Sequence, residues 1–134
     1  MENYCKVLHI EALTMVEMVK KDIYPAVVRY MGDVASTIRA KEAISDEVPH
    51  ESESRLLKDL STLADELMKK CEDLEKSLVS AEKNADIQKQ AEYYRDIVLV
   101  AMNQLRAIAD SLETMTDKAY WPIPSYSDLL YSVV

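Results

Sequence analysis

The chain has 134 residues and a formal net charge of −8. It contains only one glycine and four prolines. So few turn formers argue against a β-sandwich or a β-barrel. A hydrophobic fraction of 49% without any phenylalanine favours helices instead. No basic stripe accompanies the acidic balance, which argues against nucleic acid or an anionic membrane as a partner.

The two cysteines, Cys5 and Cys71, lie far apart and form no CxxC motif. This spacing indicates reduced thiols in a cytoplasmic protein. No apolar run is long enough to cross a membrane. The charged residues Glu2, Lys6 and Glu11 argue against a signal peptide.

The first predicted helix spans residues 3–44. Apolar residues recur at steps of three or four from Leu8 to Ile38, which predicts one buried helical face. Pro25 lacks a backbone donor and clashes with the preceding turn, so we expect a kink or a break near Asp22. The first half carries further apolar residues outside this stripe, which indicates burial on more than one side: Val7, Ile10, Leu13, Val16 and Met18.

Two more helices are predicted, over residues 54–83 and 86–119. The polar stretch 45–53 contains Pro49 and predicts a loop before them. The second helix has a leucine-rich stripe, formed by Leu56, Leu60, Leu63, Leu67, Cys71, Leu74 and Leu78. The third has an unbroken heptad pattern, formed by Ile87, Ala91, Tyr94, Val98, Ala101, Leu105, Ile108, Leu112, Met115 and Ala119. Asp86 is suited to cap its start.

The junction at Asn84–Ala85 contains neither glycine nor proline, so the second and third helices could also form one continuous helix. In a continuous helix, however, the apolar stripe would change sides between Leu78 and Ile87. A short turn lets both stripes face one core. We therefore predict a single all-α domain over residues 1–134, folded as an up-down-up antiparallel bundle of three long helices.

The last predicted element is an extended tail over residues 120–134, with the sequence YWPIPSYSDLLYSVV. Pro122 and Pro124 prevent a helix from continuing and favour an extended path. Disordered tails are usually poor in aromatic residues, so this aromatic and proline-rich tail is expected to dock on a protein surface.

The chain carries no recognisable catalytic constellation. Its single glycine, Gly32, excludes glycine-rich phosphate-binding loops. The histidines and cysteines lack the spacing of a zinc site. A di-iron site needs a Glu-x-x-His pair on each of two helices, whereas only His50 follows a glutamate, Glu47, at this spacing, in the stretch predicted to be a loop. We therefore expect no catalytic, cofactor-binding or metal-binding residue here, and interpret His9 as a partly buried or interfacial side chain.

Three sequence blocks go beyond a generic helical pattern: IEALTM, KKDIYPAV and YWPIPSYSDLL occur in this order. Together they resemble the C-terminal region of type III glutamine synthetases. The closing aromatic and proline motif is unusual and therefore fairly specific. The resemblance is weakest over residues 41–84, and it implies a C-terminal fragment of a larger enzyme.

The resemblance implies a parent enzyme of nitrogen metabolism that ligates ammonia to glutamate with ATP and magnesium or manganese. It also implies a ring-shaped oligomer, typically of twelve subunits. The catalytic residues of that family lie upstream, and none of their motifs occurs here. This fragment is then a non-catalytic domain with a structural role in assembly, whose partners are the upstream core and neighbouring subunits.

On this interpretation, two groups of residues form interfaces. The residues expected to join the upstream core are Leu8, Ile10 and Leu13. The residues expected to lock the terminus against the bundle or another subunit are Tyr120, Trp121, Pro122, Pro124, Tyr126, Leu129, Leu130 and Tyr131. Two alternatives stay open: a free-standing helical adaptor that binds partner helices, and a small helical enzyme, which would require inward-facing basic residues.

Overall fold

The computed structural model describes residues 2–124. Within them the fold consists of three long helices and contains no strand. The first long helix comprises α1 (Glu2–Met18), a π-helical segment (Val19–Ile23) and α2 (Tyr24–Ile44); the second is α3 (Glu51–Glu82); the third comprises α4 (Ile87–Tyr93), a π-helical segment (Tyr94–Val98) and α5 (Leu99–Met115).

Pro25 does not break the first long helix. The chain stays helical through a π-helical segment in which the Tyr24 N–H bonds the carbonyl oxygen of Val19, five residues back. Pro25 follows directly as the second residue of α2 and has no N–H to donate to the preceding turn. The wider π turn falls where a proline ring would otherwise clash with the preceding carbonyl.

A second π-helical segment lies within the third long helix, where the sequence predicted an unbroken heptad. The Leu99 N–H bonds the carbonyl oxygen of Tyr94. The predicted stripe still faces the core on both sides of this segment, since Tyr94, Val98, Leu105 and Leu112 are buried. Met102 is buried in addition to the predicted positions, and Ile87 is exposed.

Helix ends differ from the predicted ends by a few residues. The second long helix begins at Glu51 instead of residue 54, since the Ser54 N–H already bonds the carbonyl oxygen of His50. The third begins after Asp86, whose carboxylate accepts a hydrogen bond of 2.9 Å from the Gln88 N–H. It ends at Met115 instead of 119, because Thr116 adopts an extended backbone conformation.

Two of the ion pairs connect the first and second long helices. Ion pairs join Lys41 to Glu53 near the loop and Lys20 to Glu75 further away, the latter with a distance of 2.7 Å between Nζ and Oε1. The core lies between the three long helices, and α3 contributes a complete stripe to it: Leu60, Ala64, Leu67, Cys71, Leu74, Leu78 and Ala81. Burial raises the pKa of the Cys71 thiol, with Glu75 adding to the effect.

Candidate interface and the polar pocket beside it

The most conspicuous surface feature is a row of large apolar side chains on α1. Tyr4, Val7, Ile10 and Leu13 are 43%, 47%, 64% and 49% exposed. We call these four residues the outer apolar face. Each lies three residues from the next, so successive members are neighbours on the helix surface, and the row winds around the side of α1 that faces away from the core, with Tyr4 and Leu13 on its two flanks. The same helix turns a second apolar face into the core, formed by Cys5, Leu8, Ala12 and Val16.

The three residues predicted to join an upstream core divide between these two faces. Leu8 is only 7% exposed and packs in the core of the bundle itself. Ile10 and Leu13 lie on the outer apolar face. The sequence analysis did not single out Tyr4 as an interface residue and treated Val7 only as an extra apolar residue. The spacing of three from Tyr4 to Leu13 is the signal that links all four.

A polar pocket of about 320 Å³ lies beside this face, and Ile10 lines both. His9 stands at its centre. Its Nδ1 atom lies 2.9 Å from the hydroxyl oxygen of Tyr94, and its Nε2 atom lies 3.4 Å from Oε1 of Glu82. His9, Glu82 and Tyr94 belong to the first, second and third long helices, so their contacts connect all three.

The remaining pocket residues are Cys5, Lys6 and Gln90. Gln90 donates a hydrogen bond of 3.3 Å to the carbonyl oxygen of Ala81, near the end of α3. Burial raises the pKa of Tyr94, and Cys5 and Glu82 add to the effect, so the phenol stays protonated at neutral pH. The predicted interpretation of His9 as partly buried agrees with its position, but its partners come from distant parts of the sequence.

Replacing Tyr94 by phenylalanine is expected to lower the free energy of unfolding by about 1 kcal/mol, because the half-buried His9 then loses a hydrogen bond. Urea unfolding of the two proteins measures the difference. Tyr93→Phe is the matched control, since Tyr93 is adjacent but does not line this pocket. Equal losses for both variants would show that the contact between His9 and Tyr94 contributes nothing specific.

The start of the predicted tail packs against the bundle. The Tyr120 ring lies against the Tyr30 ring, with centroids 5.4 Å apart. Trp121 is half-buried and contacts the core, whereas Pro122 and Pro124 are exposed. The backbone N–H groups of Tyr120 and Trp121 both donate to the carbonyl oxygen of Asp117, which turns the chain after the third helix. The predicted interface residues Tyr126, Leu129, Leu130 and Tyr131 lie outside the described residues.

Within residues 2–124, no group of three or more His, Cys, Asp and Glu side chains could hold a metal ion. No helix in the same part of the chain is long and apolar enough to cross a membrane. The described structure thus defines an all-helical domain with an exposed apolar face at the start of its first helix.

Sequence comparison shows which proteins this domain resembles. Residues 1–42 match the family model of the glutamine synthetase C-terminal domain. A glutamine synthetase of Butyrivibrio fibrisolvens is 34% identical over 133 residues, which cover 99% of this chain and 19% of that protein. A type-3 glutamine synthetase of Dictyostelium discoideum is 23% identical over 134 residues, which cover 97% of this chain and 18% of that protein.

These matches confirm the predicted resemblance: the chain is similar to the C-terminal part of glutamine synthetases, a type-3 enzyme among them. A third relative, the glutamine synthetase of Bacteroides fragilis (strain YCH46), is 24% identical over 136 residues, with 98% of this chain and 19% of that protein covered. The chain spans about a fifth of the length of the curated relatives that it matches.

Proposed function

We propose that this chain is a non-catalytic helical domain that helps to assemble a glutamine synthetase. The parent enzyme would ligate ammonia to glutamate with ATP and magnesium or manganese, in the cytoplasm, as a ring of twelve subunits. ATP and the metal ion belong to the upstream core in this proposal. The similarity to glutamine synthetases over nearly the whole chain supports the parent enzyme.

The observation that carries the assembly role is the outer apolar face. Four large apolar side chains within one helix stay exposed while the opposite side of the same helix is buried in the bundle. Exposing contiguous apolar surface to water is unfavourable in free energy, and such patches mark sites of protein association. The partner proposed for Tyr4, Val7, Ile10 and Leu13 is the synthetase core, in the same subunit or a neighbouring one.

The up-down-up arrangement is part of this proposal. The ion pairs between the first and second long helices support an antiparallel pair. The contact between His9 and Tyr94, near the starts of the first and third long helices, supports a parallel relation between those two. In such a bundle the outer apolar face lies at one end, and the tail leaves from the other.

The test is a substitution in the full-length synthetase that contains this chain. The variant Ile10→Ser with Leu13→Ser is expected to lower the mass of the particle in solution, and glutamine formation should fall with it. The apolar surface that these side chains remove from water would then no longer stabilise the assembly. Light scattering measures the mass, and the rate of glutamine formation measures the activity.

Ile44→Ser is the control, because Ile44 is 77% exposed but lies at the far end of the same long helix. It should leave mass and activity unchanged. The single variant Ile10→Ser makes the same isoleucine-to-serine change as this control, so the two variants can be compared directly. An intact particle with normal activity in the Ile10 and Leu13 variant would contradict the assembly role. An intact particle with altered activity would instead indicate a regulatory contact.

A further inference from the structure

The contacts in the polar pocket fix the direction of its hydrogen bonds. The Nε2 atom of His9 lies 3.4 Å from a carboxylate oxygen of Glu82. An ionised carboxylate only accepts hydrogen bonds, so in the neutral imidazole Nε2 carries the proton and Nδ1 carries none. The Tyr94 hydroxyl, 2.9 Å from Nδ1, therefore donates to His9. The raised pKa of Tyr94 agrees with this direction, because the phenol keeps its proton at neutral pH.

After these contacts, the pocket still offers acceptors for further hydrogen bonds. The Tyr94 oxygen keeps a lone pair when its hydrogen points at His9. The Glu82 side chain is 65% exposed and has a second carboxylate oxygen. Gln90 uses its amide nitrogen to donate to the carbonyl oxygen of Ala81, which leaves the amide oxygen as a further acceptor. The pocket therefore suits a ligand group that carries several donors.

Charge and shape narrow the class of ligand. Glu82 places a negative charge at the pocket, whereas Lys6 places an opposing positive charge there and has an interaction of its own. The whole chain carries a net charge of −8, which favours a basic partner surface. Ile10 is an apolar wall of the pocket and also belongs to the outer apolar face. An arginine side chain meets these requirements, because its guanidinium is a planar fork of N–H donors and its stem is apolar.

We propose that the pocket receives an arginine side chain of the synthetase core, at the edge of the contact that covers the outer apolar face. The guanidinium donates to Glu82 and to the hydroxyl oxygen of Tyr94, and the stem lies against Ile10. The proposal rests on the assembly role and goes beyond it, because it names a charged partner group. Apolar contact alone is non-directional, whereas these hydrogen bonds fix how the core is oriented on the domain.

The first test uses N-acetyl-arginine methylamide as the probe and N-acetyl-citrulline methylamide, a neutral analogue of the same length, as its control. NMR titration of the 134-residue chain follows the ring signals of His9 and Tyr94. The arginine probe is expected to shift these signals and to saturate at a concentration on the order of 1 mM. Citrulline should bind about tenfold more weakly, since its urea has no charge. Equal shifts with both probes, or no saturable shift with arginine, would overturn the proposal.

The variant Glu82→Gln keeps the shape of the side chain and removes its charge. It should weaken binding of the arginine probe about tenfold. Glu66→Gln is the matched control, because Glu66 is an exposed glutamate of the same helix that does not line the pocket. Circular dichroism verifies that both variants keep their helices. If the Glu82 variant bound the probe as tightly as the Glu66 variant, Glu82 would not be the charge partner.

The same two variants in the full-length synthetase identify the source of the arginine. Glu82→Gln is expected to lower the mass of the particle on dilution, whereas Glu66→Gln should leave it unchanged. A particle that tolerates Glu82→Gln at every dilution would contradict the assignment of the arginine to the synthetase core. Because the titration uses the 134-residue chain and a small probe, its outcome is independent of the synthetase experiment with Ile10 and Leu13, and the two proposals can fail separately.

Discussion

Replacing Leu67 by alanine is expected to lower the free energy of unfolding by about 2–5 kcal/mol. Leu67 lies in the middle of α3 and is fully buried in the core shared by the three long helices. The substitution removes apolar contacts and leaves a cavity that rigid helices on either side fill only in part. Such a loss is a large fraction of the stability of an ordinary domain.

Urea or thermal unfolding followed by circular dichroism measures this loss. Val79→Ala is the control on the same helix, because Val79 is 58% exposed, and its effect should stay within about 0.5 kcal/mol. If the two variants unfolded alike, Leu67 would not be part of a packed core, and the arrangement of the helices around α3 would be wrong.

The second long helix could be predicted from the sequence in detail. Its leucine stripe has the helical period from end to end, and Leu60, Leu67, Leu74 and Leu78 are buried as predicted. The pattern is clear because one face contacts the core and the other carries charged residues that stay in water. Only its start was misplaced, since the first turn begins at Glu51 without a capping side chain.

The two π-helical segments could not be predicted from the same pattern. A periodicity analysis assumes a constant number of residues per turn, whereas a π turn adds residues locally. Pro25 gave a signal in the first long helix, and a distortion was expected close to the observed Val19–Ile23 segment. The third long helix has no proline near Tyr94–Val98, so nothing in its heptad pattern marked the π-helical segment there.

The polar pocket also depends on tertiary structure that the sequence does not encode locally. His9 and Tyr94 are separated by 85 positions and meet only because the first and third long helices pack together. Sequence analysis could identify His9 as a candidate for partial burial, but not its partners.

The clearest discrimination between core and interface comes from Leu8 and Leu13, which were predicted to share one role. In the 134-residue chain, Leu8→Ala is expected to lower the free energy of unfolding by about 2 kcal/mol or more, because Leu8 packs in the core. Leu13→Ala should change it by less than about 0.5 kcal/mol, because Leu13 is 49% exposed there.

In the full-length synthetase, we expect Leu13→Ala to have the larger effect on assembly, the opposite of the order expected for unfolding. Leu13→Ala is expected to weaken the particle without unfolding the domain, because Leu13 would be buried only against the synthetase core. Leu8→Ala should lower the melting temperature of the domain and leave its outer apolar face intact. Light scattering and calorimetry on the same samples separate the two effects.

A Leu13 variant that assembles like the unmodified enzyme would contradict the proposed interface. A Leu8 variant of unchanged stability would contradict the placement of Leu8 in the core. The two leucines thus test the inner and outer faces of α1 independently, with the same substitution on the same helix.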